Sequence, residues 1–474
     1  MARRRDQLFV AVLAAGAVAG LVLRIVMANS VWGVLDSDEA VVGLMARSIA
    51  RGDIPTLFWG QGYGGTTEAF VLAGWAGLFG WSTFAIRVVA VGLAATATVL
   101  VWRIGRRTIG PWPGAAAALF FWLWPAPYVF WSLKLRGFYW TALVAGLVFT
   151  LCALRLAERP NRRDAMVAGL AAGIGWWSTP QIAVYAVPVV IWLLARHRDT
   201  VRPLLTAGLP AAVIGALPWL AYNVRHSFVA LDPPELAAGA SGSYLEHLGT
   251  FAGRGLPVAV GARLPWTEQW LPGGALLYVA ALVAVAVVIA ARRPPLLPVV
   301  LVAFPFVHAL SPWSNYIGEG RYLVYYAPFL ALAVAGALRH RVALATGAVV
   351  LFAVTLVGLD RTAGLSSPYS GDRRVPESLA PLVADLDRRQ IRHVYADYWI
   401  GYRLAYETDE RIIPEGFRNA EWSRRVDRAT RVAYVYMEGD PMADDVRREM
   451  RRIDQDWVEH RVAGFQVLIP DRSD

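Results

Sequence analysis

Lysine is almost absent from this 474-residue chain: Lys134 stands alone among 46 Lys and Arg. Cysteine is as scarce. Cys152 is the only one and sits in an apolar run, which excludes an intramolecular disulfide and any cysteine-cluster metal site. The seven His are scattered without metal-ligand spacing, and His308 lies in an apolar run as a packed helix residue. No internal repeat and no low-complexity tract is present. Charge is also sparse. Only 17% of residues are charged against 56% hydrophobic, and mean hydropathy is +0.42. A water-soluble protein of this length needs more charge to cover its surface, so lipid replaces water over much of it. The net charge of +10 does not point to nucleic acid, because most Arg lie in short loops between apolar runs. Abundant Ala, Val, Arg and Gly with a single Lys suggest a high-GC bacterium.

What is plentiful is apolar sequence and aromatic residues. The 20 Trp suit interfacial belts and also the lining of sugar sites. The basic start Met1-Ala-Arg-Arg-Arg has the charge pattern of a signal peptide, but the apolar run from Leu8 is long for a signal h-region and continues past Arg24 to Ala28. It is expected to be a retained first helix, with Arg24 snorkelling to the surface. Ten further runs lie near 83–105, 112–131, 137–157, 164–178, 180–196, 203–224, 273–291, 296–312, 321–338 and 341–359. The expectation is an α-helical polytopic membrane protein with about eleven spans, some of them short enough to be broken helices. Arg3 to Arg5, Arg103/Arg106/Arg107, Arg155/Arg159/Arg162/Arg163, Arg196/Arg198/Arg202, Arg292/Arg293 and Arg339/Arg341 fall on one side of successive spans. That side is the cytoplasm by the positive-inside rule, so the N-terminus is inside and the C-terminus outside.

Two long segments then fall outside, 30–82 and 225–272, within a membrane domain covering 1–360. In the first, Thr66 to Gly80 is apolar but short, and reads as a helix at the outer interface. From Asp360 the composition turns water-soluble. Strand-like runs at Arg392–Ala396, Arg411–Pro414, Arg431–Tyr436 and Gly464–Pro470 alternate with helix-like runs near 376–389, 418–429 and 440–452. Residues 361–474 are therefore expected to be a small extracytoplasmic α/β domain.

Chemistry concentrates in the first outer segment. Asp36, Asp38 and Glu39 open it in LDSDEA, followed by an amphipathic helix with Val42, Met45 and Ile49 on one face. Three carboxylates beside a membrane carry a desolvation cost, although acids and N-caps also suit a helix start. Next comes WGQGYGGTTE, whose four Gly allow tight turns and close approach to a ligand; no strand precedes it, so it is not a nucleotide-binding loop. Gln61, Tyr63 and Glu68 in this stretch are candidate site residues. Lys134, Arg136 and Arg321, with neighbouring Tyr322, lie at outer ends of spans, where cations are disfavoured by orientation and suited to a lipid-carrier phosphate or to lipid headgroups.

A first span, an outer loop starting with an Asp-Glu pair and an amphipathic helix, a second interface helix, and a span ending in RIGRR together resemble the GT-C superfamily of integral-membrane glycosyltransferases. The likeness is to bacterial relatives of the protein O-mannosyltransferases and of the lipid-A aminoarabinose transferase. It covers the membrane region, most specifically 36–105, and more loosely GRYLVYYAPFLALA at 320–333. HVYADYWIGYRLAYETDERIIP at 393–414 is similar to the tail of actinobacterial members, without an attached role. The resemblance implies a bacterial cytoplasmic-membrane enzyme working on the outer face. A hexosyl or pentosyl group moves from a polyprenyl-phosphate carrier, with inversion, to a hydroxyl of a protein, lipid or glycan. Asp38 matches the family's base, with Glu39 beside it and Asp36 nearby. Arg321, then Lys134 and Arg136, match its phosphate contacts. No cofactor is required, though the acids could hold a divalent cation. Relatives often start the second interface helix with Pro-Pro or Lys-Pro-Pro; GGTTEAF stands here, so their lysine has no equivalent. A transporter or lipid flippase is the alternative, which predicts charges in mid-span and two related halves; a scaffold role would leave the Asp-Glu loop without purpose.

Overall fold

The computed structural model describes residues 2–231, 242–291, 295–315, 317, 320–364 and 375–471. Arg292, Arg293 and the stretch 232–241 of the second outer segment lie outside the described residues. Helix α1 (Ala2–Ala28) leads to a segment with α2 (Ser37–Ala50) and α3 (Thr67–Phe79). The membrane body continues with α4 (Thr83–Thr108), α5 (Pro111–Leu123), α6 (Ala126–Trp131), α7 (Tyr139–Glu158), α8 (Arg162–Ser178) and α9 (Ala183–Arg196). Further apolar helices are Gly274–Ala291, Leu296–His308, Ala327–Leu338 and Arg341–Gly364.

Among the described residues, five helices are long and apolar enough to cross a membrane. A sixth crossing results if Pro180–Arg196 and Arg198–Gly215, bent by 111°, form one span. Every expected apolar run contains helix, but length alone does not reproduce a count of about eleven. Helix α5 and Leu296–His308 have 13 residues each, about 20 Å at 1.5 Å per residue, against a hydrocarbon core of about 30 Å. The run 112–131 divides because Pro125 disfavours helical backbone at Trp124, and the chain restarts as α6. The run 321–338 divides likewise into a 3₁₀ turn at Arg321–Leu323 and a helix from Ala327.

Arg24 does not snorkel. It is 3% exposed and turns inward, its guanidinium 3.6 Å from the centre of the Trp122 ring. It donates to Ser132 Oγ at 2.7 Å and to the carbonyls of Gly20 and Trp122 at 2.9 Å each. The break after α5 exposes backbone carbonyl at membrane depth, and an inward Arg satisfies it where water is excluded.

The C-terminal region holds a five-stranded sheet in the order β2-β1-β3-β5-β4. Strands β1 (His393–Ala396), β2 (Ile413–Pro414) and β3 (Val432–Met437) pair in parallel, and β5 (Phe465–Pro470) runs antiparallel to both β3 and β4 (Trp457–Val462). The parallel strands are joined through helices Tyr398–Glu407 and Ala420–Asp427. Strand β4 was not expected from its sequence, WVEHRV. It is an edge strand with only its partner β5, so polar residues are tolerated along it. Helix Tyr398–Glu407 was also unassigned; Asp397 caps it by accepting from Trp399 N at 2.8 Å.

Candidate active site

Helix α2 begins with a capping box. Asp36 accepts the Glu39 backbone N–H at 3.0 Å, and the Glu39 carboxylate reaches back to the Asp36 N–H. The box turns both carboxylates inward, and each is fully buried. There they meet the segment between α6 and α7. Arg136 donates to Asp36 through Nε at 3.0 Å and also through Nη2. Lys134 Nζ donates to Glu39 at 2.9 Å and lies 3.6 Å from Asp36. Arg87, from the first turns of α4, pairs with both Glu39 oxygens and donates to the carbonyls of Leu133 (2.7 Å) and Gly33 (2.9 Å). Burial alone would raise the Asp36 carboxyl, but Arg136 and Lys134 hold it well below the usual carboxylate range. Burial brings the Lys134 ammonium down to about 8 against the opposing pull of Glu39 and Asp36.

Glu68, at the start of α3, completes this clamp. Its carboxylate accepts the backbone N–H groups of Gly137 (2.9 Å) and Trp140 (2.7 Å), at the N-terminus of α7. Burial pushes its carboxyl up to about 7 despite those hydrogen bonds. A raised folded-state value means that stability present below pH ~4.5 is lost as pH rises through about 7, by roughly 3 kcal/mol. Glu68 therefore contributes a fall in the thermal unfolding temperature in detergent as pH rises across this window. Glu68→Gln should flatten that dependence; an unchanged slope would show that another group causes it.

Asp38 differs from these three acids. It is half-buried on the opposite flank of α2 and accepts from the hydroxyl of Tyr398, in the C-terminal region, at 2.6 Å. Burial first, and then the Asp38 charge, push the Tyr398 phenol well above its usual range, so the hydroxyl remains a donor. Arg418 meets the same tyrosine oxygen at 3.3 Å and donates to the Trp59 carbonyl at 3.1 Å. Tyr398, Tyr402 and Tyr406 stand four residues apart on one helix that packs against α2. Gly43 is in direct contact with the Tyr406 ring, so any side chain there would collide with it. Arg47 lies over the same ring at 4.4 Å and pairs with Asp409 at 2.7 Å, while Arg51 pairs with Glu410.

Beside this cluster lies an aromatic cavity of about 340 Å³ whose lining includes Tyr63, Phe138, Trp176, Trp219, Trp313 and Tyr322. Tyr322 is buried, with its ring 6.4 Å from that of Trp313, and the Arg321 guanidinium is 5.1 Å from the Tyr322 ring centre. Gln61 is half-buried in the preceding turn, outside the lining. Phe138 connects the two areas: its ring lies 6.5 Å from Phe58, over which Arg418 sits at 5.0 Å.

The structure thus joins Asp36, Glu39, Lys134 and Arg136 in one buried network and places Tyr63 and Tyr322 in the lining of a separate cavity, with Arg321 packed on the Tyr322 ring. Lys134 is fully buried among carboxylates, so it meets a carrier phosphate only if these pairs open. Asp36 and Glu39 are turned to cations and Asp38 to a hydroxyl, which does not fit a shared divalent cation; among the described residues no group of three or more His, Cys, Asp or Glu could hold one. Arg87, Tyr398, Arg418 and Gln181 were missed by sequence reasoning. A charge inside an apolar helix was the signal for Arg87, and the four-residue tyrosine spacing was that for Tyr398. His308, read as a packed helix residue, stacks on Phe304 and also lines the cavity.

Residues 67–222 match the family of dolichyl-phosphate-mannose-protein mannosyltransferases. The whole chain superposes on ArnT from Cupriavidus metallidurans in its apo state, with TM-score 0.60 and 14% identity over 96% of this chain and 98% of that one. The fold is that of the GT-C superfamily. ArnT bound to undecaprenyl phosphate matches this chain with TM-score 0.59 and 15% identity, covering 95% and 97% of the two chains. The archaeal oligosaccharyltransferase AglB from Archaeoglobus fulgidus, in complex with an inhibitory peptide and a dolichol-phosphate, matches with TM-score 0.54 and 13% identity over 91% and 69%. No curated protein sequence matches the chain.

Proposed function

We propose that this protein is an inverting glycosyltransferase that moves a hexosyl or pentosyl group from a polyprenyl-phosphate carrier to an acceptor hydroxyl. It works at the outer face of a bacterial cytoplasmic membrane, with its N-terminus inside, residues 1–360 in the membrane domain, and 361–474 as an outer α/β domain. The observation that carries the reading is the condition of Asp38. Asp36, Glu39 and Glu68 are committed to cations or backbone N–H groups, whereas Asp38 meets a hydroxyl. A carboxylate at 2.6 Å from a hydroxyl has the reach to remove a proton as a new bond to C1 forms. In the reaction the bond from C1 to the carrier phosphate breaks and the bond from C1 to the acceptor oxygen forms. Asp38 takes the proton, and the polyprenyl phosphate leaves with its charge facing Arg321, the half-buried cation packed on Tyr322. The match over 67–222 and the fold shared with proteins holding undecaprenyl phosphate and dolichol-phosphate support a lipid-linked donor.

The test is a transfer assay in membranes containing the protein, supplied with radiolabelled polyprenyl-phosphate sugars or with nucleotide sugars. Label is expected to pass only from the lipid-linked donors. Transfer from nucleotide sugars alone, or none from any carrier tried, overturns the reading.

A further inference from the structure

Between α1 and α4 runs an apolar groove of about 1010 Å³, a volume at the upper end of ligand sites. Both helices pack on α5, whose small Ala115 and Ala118 line the groove and leave room between them. The α4 wall extends from Phe84 to Trp102, about 27 Å at 1.5 Å per residue and close to the thickness of a hydrocarbon core. Leu21, Ile25, Phe84 and Val99 on the walls are exposed, so the rim is apolar as well.

One end of the groove meets the buried ion network. Arg24 and Arg87 belong to its lining, as do Gly33 and Leu133, whose carbonyls Arg87 holds. Asp38 follows Gly33 by five residues, which keeps the two within about 18 Å. Arg24 has neutral partners only: Ser132, two carbonyls and the Trp122 ring. Among the described residues no carboxylate pairs with it. A buried charge at membrane depth is costly without a counter-charge, and a basic site between membrane helices suits an anionic lipid headgroup. The network also separates the groove from the aromatic cavity: within segment 132–138, Leu133 lines the first and Phe138 the second.

We propose that the acceptor is an anionic phospholipid with a free headgroup hydroxyl, one of its chains lying in this groove and its phosphate near Arg24. The proposal rests on the transferase reading and names the acceptor class. A hydrocarbon chain matches the length and the apolar walls, and the phosphate supplies the counter-charge that Arg24 lacks. The groove reaches the network at Leu133, whereas Tyr322, on which Arg321 packs, lies with Phe138 at the other cavity, where the donor phosphate is placed. Inversion is served by this separation, because the acceptor oxygen enters on the face of C1 opposite the leaving phosphate. The headgroup hydroxyl gives its proton to Asp38 as its oxygen bonds to C1, and the bond from C1 to the carrier phosphate breaks to release polyprenyl phosphate.

Two measurements on the purified full-length protein test this. Native mass spectrometry counts the lipids retained when phosphatidylglycerol, phosphatidylinositol, phosphatidylcholine or bare polyprenyl phosphate is added. Phosphatidylglycerol or phosphatidylinositol is expected to be retained about 5-fold better than phosphatidylcholine. Gly92→Phe fills the groove from α4 at a position where an added Cβ meets no neighbour, so it should fold and lose most of that retention. Equal retention of phosphatidylcholine, retention unchanged in Gly92→Phe, or displacement of the phospholipid by bare polyprenyl phosphate overturns the proposal. In the second measurement, vesicles of phosphatidylcholine with phosphatidylglycerol or phosphatidylinositol receive a radiolabelled polyprenyl-phosphate sugar. Label is expected in a lipid that mild alkaline deacylation turns water-soluble, and less of it with Gly92→Phe. Label that reaches only a protein or a glycan overturns the acceptor class and leaves the transferase reading intact. No transfer to any acceptor sinks both, and leaves a lipid site that retention alone decides.

Discussion

Asp38→Asn is expected to lower sugar transfer by about 10²- to 10⁴-fold, the range that a positioned general base supplies. The substitution keeps the size of the side chain and most of its hydrogen bonding. Because the Asp38 carboxylate is joined to no cation among the described residues, the protein should accumulate in the membrane as before. The measurement is the initial rate of label transfer, normalised to protein in the membrane. Tyr398→Phe is the companion variant: it removes the hydroxyl that Asp38 accepts at 2.6 Å while preserving the ring packed on Tyr402 and Phe417. If Tyr398 only orients the carboxylate, its loss should cost far less than the loss of Asp38 and should shift the pH profile of the rate. Full activity of Asp38→Asn would move the base to another acid, and the buried pairing of Asp36 and Glu39 makes Asp38 the only one of the three not held by a cation.

Arg87→Met is expected to destabilise the protein by about 3–5 kcal/mol, because it leaves one side of a fully buried ion network without its partner. Glu39 would keep Lys134 but lose both Arg87 contacts, and the carbonyls of Gly33 and Leu133 would lose their donor. Thermal unfolding in detergent measures this directly. The informative control is the double variant Arg87→Met with Glu39→Gln. Because the two side chains pair with each other, the double variant should lose less stability than the two single variants summed. An additive loss would mean that the two side chains act through separate contacts. The network's architecture explains its importance: three acids from the segment between α1 and α4 grip one short segment, 132–138, from Leu135 N to Gly137 N, and so fix α2 and α3 to the helical body.

Much of this was legible in the residues. The Asp-Ser-Asp-Glu start of α2 reads as an N-cap and a site candidate at once, and the structure divides those roles: Asp36 and Glu39 form the cap, and Asp38 faces the C-terminal region. Spacing places residues two apart on different flanks of a helix but does not say which flank meets cations and which meets a hydroxyl, because those partners come from remote segments. Arg24 illustrates the opposite limit. Composition allows a snorkelling Arg near the end of an apolar helix. The inward turn depends on the break between α5 and α6, and the carbonyl that Arg24 satisfies belongs to Trp122, nearly a hundred positions away.

The sequence by itself determined that the chain is a membrane protein with an acid-rich segment after its first helix and a C-terminal sheet region, because apolar length, charge scarcity and strand-like alternation are local properties. It also pointed to the GT-C superfamily through the order of those elements. The tertiary structure decided which apolar runs are long enough to cross, which cations the acids hold, and that Tyr398 of the C-terminal region reaches Asp38 across 360 positions. It also decided that His308, Gln181 and Trp313 share one cavity. Burial, pairing and convergence depend on distances between remote segments, and no periodicity along a single chain carries them.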